Sequence, residues 1–558
     1  MTADVPGEQT VTLSLEPRVE SPVVVTGTPE PKQLAEVDRS ITVIPVEGAL
    51  VPGAWLTDLL KMDSSVDVRE RGVDGTQAAV GIRGGAFSQT LVLVNGIRVN
   101  DPQSGHHNMD LPLPVEAVSR LEVLHGSGST LYGSDAVGGA INVITRRPEA
   151  SELVLSSGLG DFGWNRQAVS GGFRRGSWRQ HLGLARDFST GFRPGRDFRN
   201  LAAAAESFLD ESFGSTSVLV AYNDRPFGAN GYYGAFPSWE STGTKLLAVA
   251  QTIGEHRLQF SYRRHRDHYV LYRDQPEIFQ NFHTAGTWNG SYAFHHALSG
   301  KLEFTGGAEA LSESISSTNL GDHRRNRGSA FFVFQARPAP RLTVTAGLRE
   351  EVYRKWRGVA SPTVSAGIRL GKGFKARGGV GHGFRVPTYT DLYYHDPANL
   401  GNPNLRPESA WTYEAGLDWW PGRGASLSAT WFERRERDTI DFVRPAGASI
   451  WRAQNFQRLN FHGGEVEWRQ RLRRAELGAS FTVLRASQQP APGVASRYVF
   501  NFPRSSFVLS GMTPLTRYAL VRTRAGVFNR SWHSTVGLWD FGTLRSPGRE
   551  AAFAPSCR

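Results

Sequence analysis

The chain has 558 residues, of which 39% are hydrophobic, and a formal net charge of +11; it is long enough for more than one domain. No apolar run reaches the ~18 residues of a helical membrane span, which excludes that class. A strand-built membrane protein stays open, because alternating strands keep mean hydropathy low and the value here is −0.35. The charge rests mostly on arginines scattered through strand-like segments and not gathered in a tract, so no nucleic acid is expected as a partner.

Glycine supplies 61 residues and aromatics 11%, a glycine share above the usual ~7%. This combination fits a large β-barrel with aromatic girdles, although a soluble propeller would share it. The single cysteine is Cys557, and a body without thiols suits an oxidising cell-envelope compartment.

In chain order, residues 1–31 read as a polar, proline-punctuated lead, extended and mobile. It contains Val23-Val24-Val25-Thr26-Gly27 between Pro22 and Pro29. A β-branched pentamer kept out of a helix by prolines is suited to add as a strand to a partner. The other reading is an ordinary first strand of the next domain. Residues 32–148 read as a compact α+β unit. Within it, Ala54–Leu60 has helix-spaced apolar positions and Ser64–Val68 is extended. Gly81-Ile82-Arg83-Gly84 leads into Leu91–Val94 and Ile97–Val99, joined by Asn95-Gly96 as a two-residue hairpin turn. Arg120–Thr145, RLEVLHGSGSTLYGSDAVGGAINVIT, reads as strand, tight turn, strand. Its glycines Gly126, Gly133, Gly138 and Gly139 suit turns and close packing, with no helix behind them to form a phosphate loop.

From about residue 149 the texture changes to period-two alternation. Leu258, Phe260 and Tyr262 interleave with Gln259, Ser261 and Arg263; Leu427, Ala429 and Trp431 interleave with Ser428 and Thr430. Leu477, Ala479, Phe481 and Val483 repeat the pattern against Gly478, Ser480 and Thr482. One apolar and one polar face, repeated at barrel-strand spacing, predicts lipid-facing and lumen-facing sets.

The blocks at 81–101 and 120–145 match, nearly residue by residue, the plug domain of TonB-dependent outer-membrane transporters, and the chain resembles that family. Phe384-Arg385-Val386-Pro387, Gly401–Glu408 (GNPNLRPE) and Tyr413-Glu414-Ala415-Gly416 resemble paired boxes of the family's barrel. The resemblance implies a mainly β protein of the bacterial outer membrane. An N-terminal α+β plug (32–148) would sit inside a large antiparallel transmembrane β-barrel (149–540) of about 22 strands. Val23, Val24, Val25, Thr26 and Gly27 become a TonB box, pulled by TonB of the inner-membrane complex; no catalytic site is expected. The plug-motif residues are Arg83, Gly84, Arg120, Glu122, Gly126, Tyr132, Gly133, Gly138, Gly139 and Asn142. Arg83, Arg120 and Glu122 read either as breakable pairs holding the plug in the lumen or as pairs internal to the plug.

By the same resemblance, two outward plug loops floor a ligand pocket. They supply Phe87, Ser88 and Gln89, and then Asn100, Asp101, Gln103, Ser104, His106, His107 and Asn108. Tyr232 and Tyr233 read as a loop pair that stacks on a flat ligand, or as girdle aromatics. Adjacent His106 and His107 chelate one ion poorly and are read as hydrogen-bonding loop residues, so no metal is assigned. His395 lies between the barrel boxes, where haem receptors of the family carry an iron ligand; the other reading is a plain loop residue. No cofactor is expected beyond calcium in extracellular loops.

The plug text most resembles the cobalamin receptors, with ferric siderophores next and haem third. A soluble all-β binding protein, a passive porin and a non-functional truncated copy are the other readings. Lipid and lipopolysaccharide are the expected surroundings, arginines at lumen or rim attracting anions, and a monomer the expected state. Two features sit awkwardly with the family. Met1–Asp4 shows no secretory signal, so an internal start is expected. Residues 541–558 do not alternate and read as an aberrant tail, with about two strands lacking.

Overall fold

The computed structural model describes residues 22–46, 55–72, 76–473, 475–488, 493–514, 519–530 and 535–545, together with the strands Thr2–Val5 and Gln9–Thr12. Those two strands pair antiparallel, so the lead folds back on itself there. Residues 546–558, with Cys557, lie outside the described residues, as do residues 13–15 and Ala54.

One sheet of 22 strands runs in chain order from Glu152–Leu159 to Val536–Arg545. Two of them, Asn399–Leu400 and Val494–Ser496, are short strands laid on longer ones, which leaves twenty long antiparallel strands in the wall. The last strand runs past the boundary expected at 540 and ends at Arg545. Among the described residues no pairing joins the first wall strand to the last.

The alternation resolves as predicted. Leu258 and Phe260 face outward at 48% and 43% exposure, while Ser261, Arg263 and His265, further along the strand on the other face, are buried. Outward Trp431 and Phe481 follow the same rule. Tyr262 stacks on Trp288 at 4.1 Å and Phe374 on Trp419 at 5.2 Å, aromatic pairs of the kind that girdle a membrane barrel. Inward side chains are buried by the plug, so the lumen is filled and not open. No helix among the described residues is long and apolar enough to cross a membrane.

The plug is built on a five-stranded sheet in the order Ile41–Pro45, Val118–His125, Gly139–Thr145, Thr90–Val94, Ile97–Arg98. Its core takes Leu121, Val123, Ile141 and Val143 from the sheet, and Leu59 and Leu60 from the helix Leu56–Leu60. Asp58 caps that helix by accepting the Trp55 N–H at 3.1 Å. The Asn95-Gly96 hairpin is present, both residues at positive φ (51° and 81°) as a type I′ turn demands. One local expectation fails: Arg120–Thr145 is strand, helical turn, strand, because Ser129–Tyr132 forms a four-residue helix. Gly133, at φ 77°, ends it, and such a short turn is set by its glycine borders and not by apolar periodicity.

Candidate functional site

The Val23–Gly27 segment, expected as part of a mobile lead, lies docked on the plug in this structure. Val23–Val24 pairs with Lys32–Gln33, and Val24 is fully buried. The Val25 and Thr26 N–H groups donate to Glu122 Oε2 at 3.0 and 2.9 Å, and the Thr26 hydroxyl donates to the same oxygen at 2.6 Å. Asn142 Nδ2 donates to Thr26 Oγ1 at 3.0 Å, and the Gly27 N–H donates to the Tyr132 hydroxyl at 3.1 Å. Burial pushes the Tyr132 phenol up to about 12, so it stays neutral. Arg120 Nε holds the other Glu122 oxygen at 2.7 Å. Three plug-motif residues, Glu122, Tyr132 and Asn142, thus converge on Val25, Thr26 and Gly27, and a fourth, Arg120, holds Glu122.

Arg83 answers differently. It is 1% exposed, at φ 50°, and its guanidinium crosses to the barrel, donating to Glu465 from Nε and Nη2 (2.7 and 2.6 Å) and to Glu414 from Nη1. Phe432 packs beneath it, 4.3 Å from ring centre to guanidinium. The two readings divide: Arg83 joins plug to barrel, while the Arg120–Glu122 pair is internal to the plug. The barrel boxes reinforce the joint. Phe384 O accepts the Asp135 N–H at 2.8 Å and its N–H donates to Ser129 Oγ at 3.3 Å. Arg385 bonds Glu408 at 2.6 Å and Asp391 at 2.9 Å. The motif glycines serve these close approaches: a Cβ on Gly133 would strike Glu351, one on Gly84 would strike Leu484, and one on Gly126 would meet Glu414 at 2.5 Å. Gly138 lies against Ile82 O and Gly139 against Leu124 O.

The outward plug loops are less open than expected. Gln89 is spent on the Ala86 N–H and Glu436, Asn100 on Val92 and Thr90, and Asn108 on the Asp101 N–H and Phe87 O. Asp101 pairs with Arg263 at 2.7 Å and Gln103 donates to Asp267 at 2.8 Å. Ser104 caps His106. These residues tie loops to the wall and to one another, because a long loop inside a lumen must satisfy its own polar groups. Ser88 is half-buried. Phe87 and His106 do meet, stacked at 4.0 Å, with Tyr498 of the barrel edge-on to Phe87 at 5.0 Å. Burial and the nearby Arg71 and His107 charges hold His106 well below the usual histidine range. His107 goes the other way: the Asp110 and Asp267 carboxylates outweigh its burial.

Residues 129–549 match the family described as TonB dependent receptor-like, beta-barrel, and residues 33–140 match the TonB-dependent Receptor Plug Domain. The chain belongs to the TonB-dependent receptor family. It is a plugged β-barrel of the bacterial outer membrane, in a family of receptors and transporters. It is similar to the vitamin B12 transporter BtuB of Vibrio vulnificus, 29% identical over 423 residues, covering 71% of this chain and 67% of that protein. The corresponding transporter of Photobacterium profundum is 24% identical, covering 67% and 65%; the chain thus spans about two thirds of these relatives. In fold it is similar to the ferric enterobactin receptor PfeA of Pseudomonas aeruginosa (TM-score 0.75, 14% identity, 91% of each chain). The siderophore receptor PirA of the same organism gives 0.72 at 17% identity, covering 90% and 92%.

Within this receptor, Tyr232 and Tyr233 turn inward and not to a girdle. Tyr232 lies 3.2 Å from Thr76 Oγ1, and Tyr233 accepts from Gln77 at 2.6 Å and donates to Glu240 at 2.7 Å. His395 is exposed on its loop, its backbone exchanging hydrogen bonds with Asn319. Sequence reading missed the mouth's barrel side. Arg444 and Arg497 both lie over Trp451, at 4.7 and 4.5 Å, and Tyr498 completes the aromatic floor. Loop aromatics beside arginines were a visible signal, but their convergence needed the assembled wall.

Proposed function

We propose that this receptor captures cobalamin at its extracellular mouth and passes it to the periplasm with energy transmitted by TonB through Val23–Gly27. The observation that carries the transport reading is the Glu122 clamp. An extended segment whose hydrogen bonds converge on one carboxylate is held at rest, yet can be drawn away as a strand by a partner that offers backbone pairing. The energy comes from that partner and not from chemistry in this chain. The 29% identity to a vitamin B12 transporter supports the cobalamin reading. The Phe87–His106–Tyr498 cluster supplies a flat-faced floor for a large ring system. The receptor works as a monomer among lipid and lipopolysaccharide.

A ferric siderophore is the second reading, favoured by the two guanidiniums on Trp451, which suit an anionic chelate. Haem comes third, since His395 offers a lone imidazole. The test is a binding titration of the detergent-solubilised, folded chain with cyanocobalamin, a ferric catecholate and haem in parallel. Saturable cobalamin binding that is weakened about tenfold by Phe87→Ala and untouched by His395→Ala is expected. Binding of the ferric chelate alone would overturn the substrate and leave the import reading standing.

A further inference from the structure

Under the mouth, the loop Asn100–Asp110 meets the barrel strand His256–Val270 in a buried cluster of imidazoles and carboxylates. Asp110 Oδ2 lies 3.2 Å from His107 Nδ1 and 3.3 Å from His265 Nε2. The donor atoms of these three residues all fall within 4.8 Å of one another. A tetrahedral ion with bonds of ~2.0–2.1 Å holds its donors about 3.3 Å apart, which is the spacing of both imidazole nitrogens from Asp110 Oδ2.

The far side of each ring is also arranged. Asp101 Oδ2 lies 2.9 Å from His265 Nδ1, and Asp267 Oδ2 lies 3.5 Å from His107 Nε2. A carboxylate thus stands behind each imidazole, within reach of the nitrogen that would face away from a metal, although His265 Nδ1 makes no hydrogen bond. Arg225 contacts Asp110 at Oδ1, 3.4 Å away, and leaves Oδ2 for the shared position.

Charge points the same way. Asp101, Asp110, Asp267 and Glu240 are buried together, against the guanidiniums of Arg225 and Arg263. Four carboxyl groups thus face two guanidiniums in a space shut from water, a setting that favours a cation, and buried charge is costly when uncompensated. Asp267 Oδ1, on a residue 6% exposed, has no hydrogen-bond partner.

We propose that His107, Asp110 and His265 form a binding site for a divalent transition-metal ion of the zinc type, which staples the outward plug loop to the barrel wall. Two imidazoles and one carboxylate select such an ion over calcium or magnesium, whose ligands are oxygens. Water supplies the fourth position. This departs from the expectation of no metal, which rested on His106 and His107 being adjacent; His107 instead acts with a residue of the wall. The site is independent of which ligand the mouth takes.

The test uses the untagged full chain, folded in detergent and stripped with a chelator, then titrated over hours with zinc and separately with calcium. One zinc per chain is expected, with no calcium competition, and cobalt in its place should show the visible absorption of a four-coordinate ion. His265→Gln and Asp110→Asn should each weaken zinc by at least about 100-fold, and Asp101→Asn by roughly 10–100-fold. Zinc should also slow hydrogen exchange in residues 105–110. Absence of zinc binding by a barrel shown to be folded overturns the proposal. So does binding that both single variants leave unchanged, which would place the ion at surface histidines.

Discussion

Glu122 Oε2 accepts both the backbone N–H and the hydroxyl of Thr26, at 2.9 and 2.6 Å, from a side chain that is itself fully buried. Hydrogen bonds to a charged group are each worth about 1.5–3 kcal/mol, so this carboxylate dominates the docking of Val23–Gly27. Glu122→Ala should release Val23–Gly27 while the barrel stays folded. A spin label at Val23, exposed in the docked state, should sharpen to a mobile spectrum. A spectrum as broad as that of the parent would show that the strand pairing with Lys32–Gln33 suffices.

Arg83 is the corresponding link between plug and wall. Removing one member of a buried charge group leaves the others uncompensated, at a cost of about 3–5 kcal/mol. Arg83→Ala strands Glu465 and weakens the hold on Glu414, which Arg39 still approaches at 3.7 Å. The plug should then exchange amide hydrogens faster than the barrel under mild urea. Equal exchange in parent and variant would remove Arg83 from that role.

The Asp63–His125 pair gives the plug a pH dependence. His125 Nε2 lies 2.8 Å from Asp63 Oδ2. Burial opposes charging both groups, but each is outweighed by its partner: the His125 value rises above 6.5 and the Asp63 value falls below 3.8. The histidine contribution is complete below pH 6.5 and lost as pH rises through its folded value. The aspartate contribution is complete above 3.8 and lost as pH falls through its depressed value. Thermal stability of the plug should therefore decline as pH rises above 6.5, and His125→Gln should flatten that slope.

Two glycines separate backbone strain from steric conflict. Gly96 sits at φ 81° with nothing near a prospective Cβ, so Gly96→Ala should cost only the left-handed penalty of about 1–2 kcal/mol. Gly133 is at φ 77°, but its Cβ would strike Glu351, a partner of Arg327 and Arg349. Gly133→Ala should lower the unfolding temperature of the receptor by clearly more than Gly96→Ala; equal shifts would mean that the Glu351 side chain gives way freely.

What the sequence by itself determined about this protein is local. Period-two alternation assigned the outward and inward faces of Leu258–Arg263 and Leu477–Val483, because strand geometry makes every second residue share a face. Asn95-Gly96 specified its own hairpin through backbone preference, and the two plug blocks and the barrel boxes identified the family. Only the tertiary structure decided the partners. Thr26 meets Glu122 across 96 positions, and Arg83 meets Glu465 across 382. No short-range rule distinguishes Arg83, which crosses to the barrel, from Arg120, which stays within the plug. Nor could it show that Asn100, Asp101 and Gln103 would be consumed by the loop and the wall. A plug seated in the lumen brings distant segments together and must satisfy each polar group it buries, so those pairings exist only once the wall is folded around it.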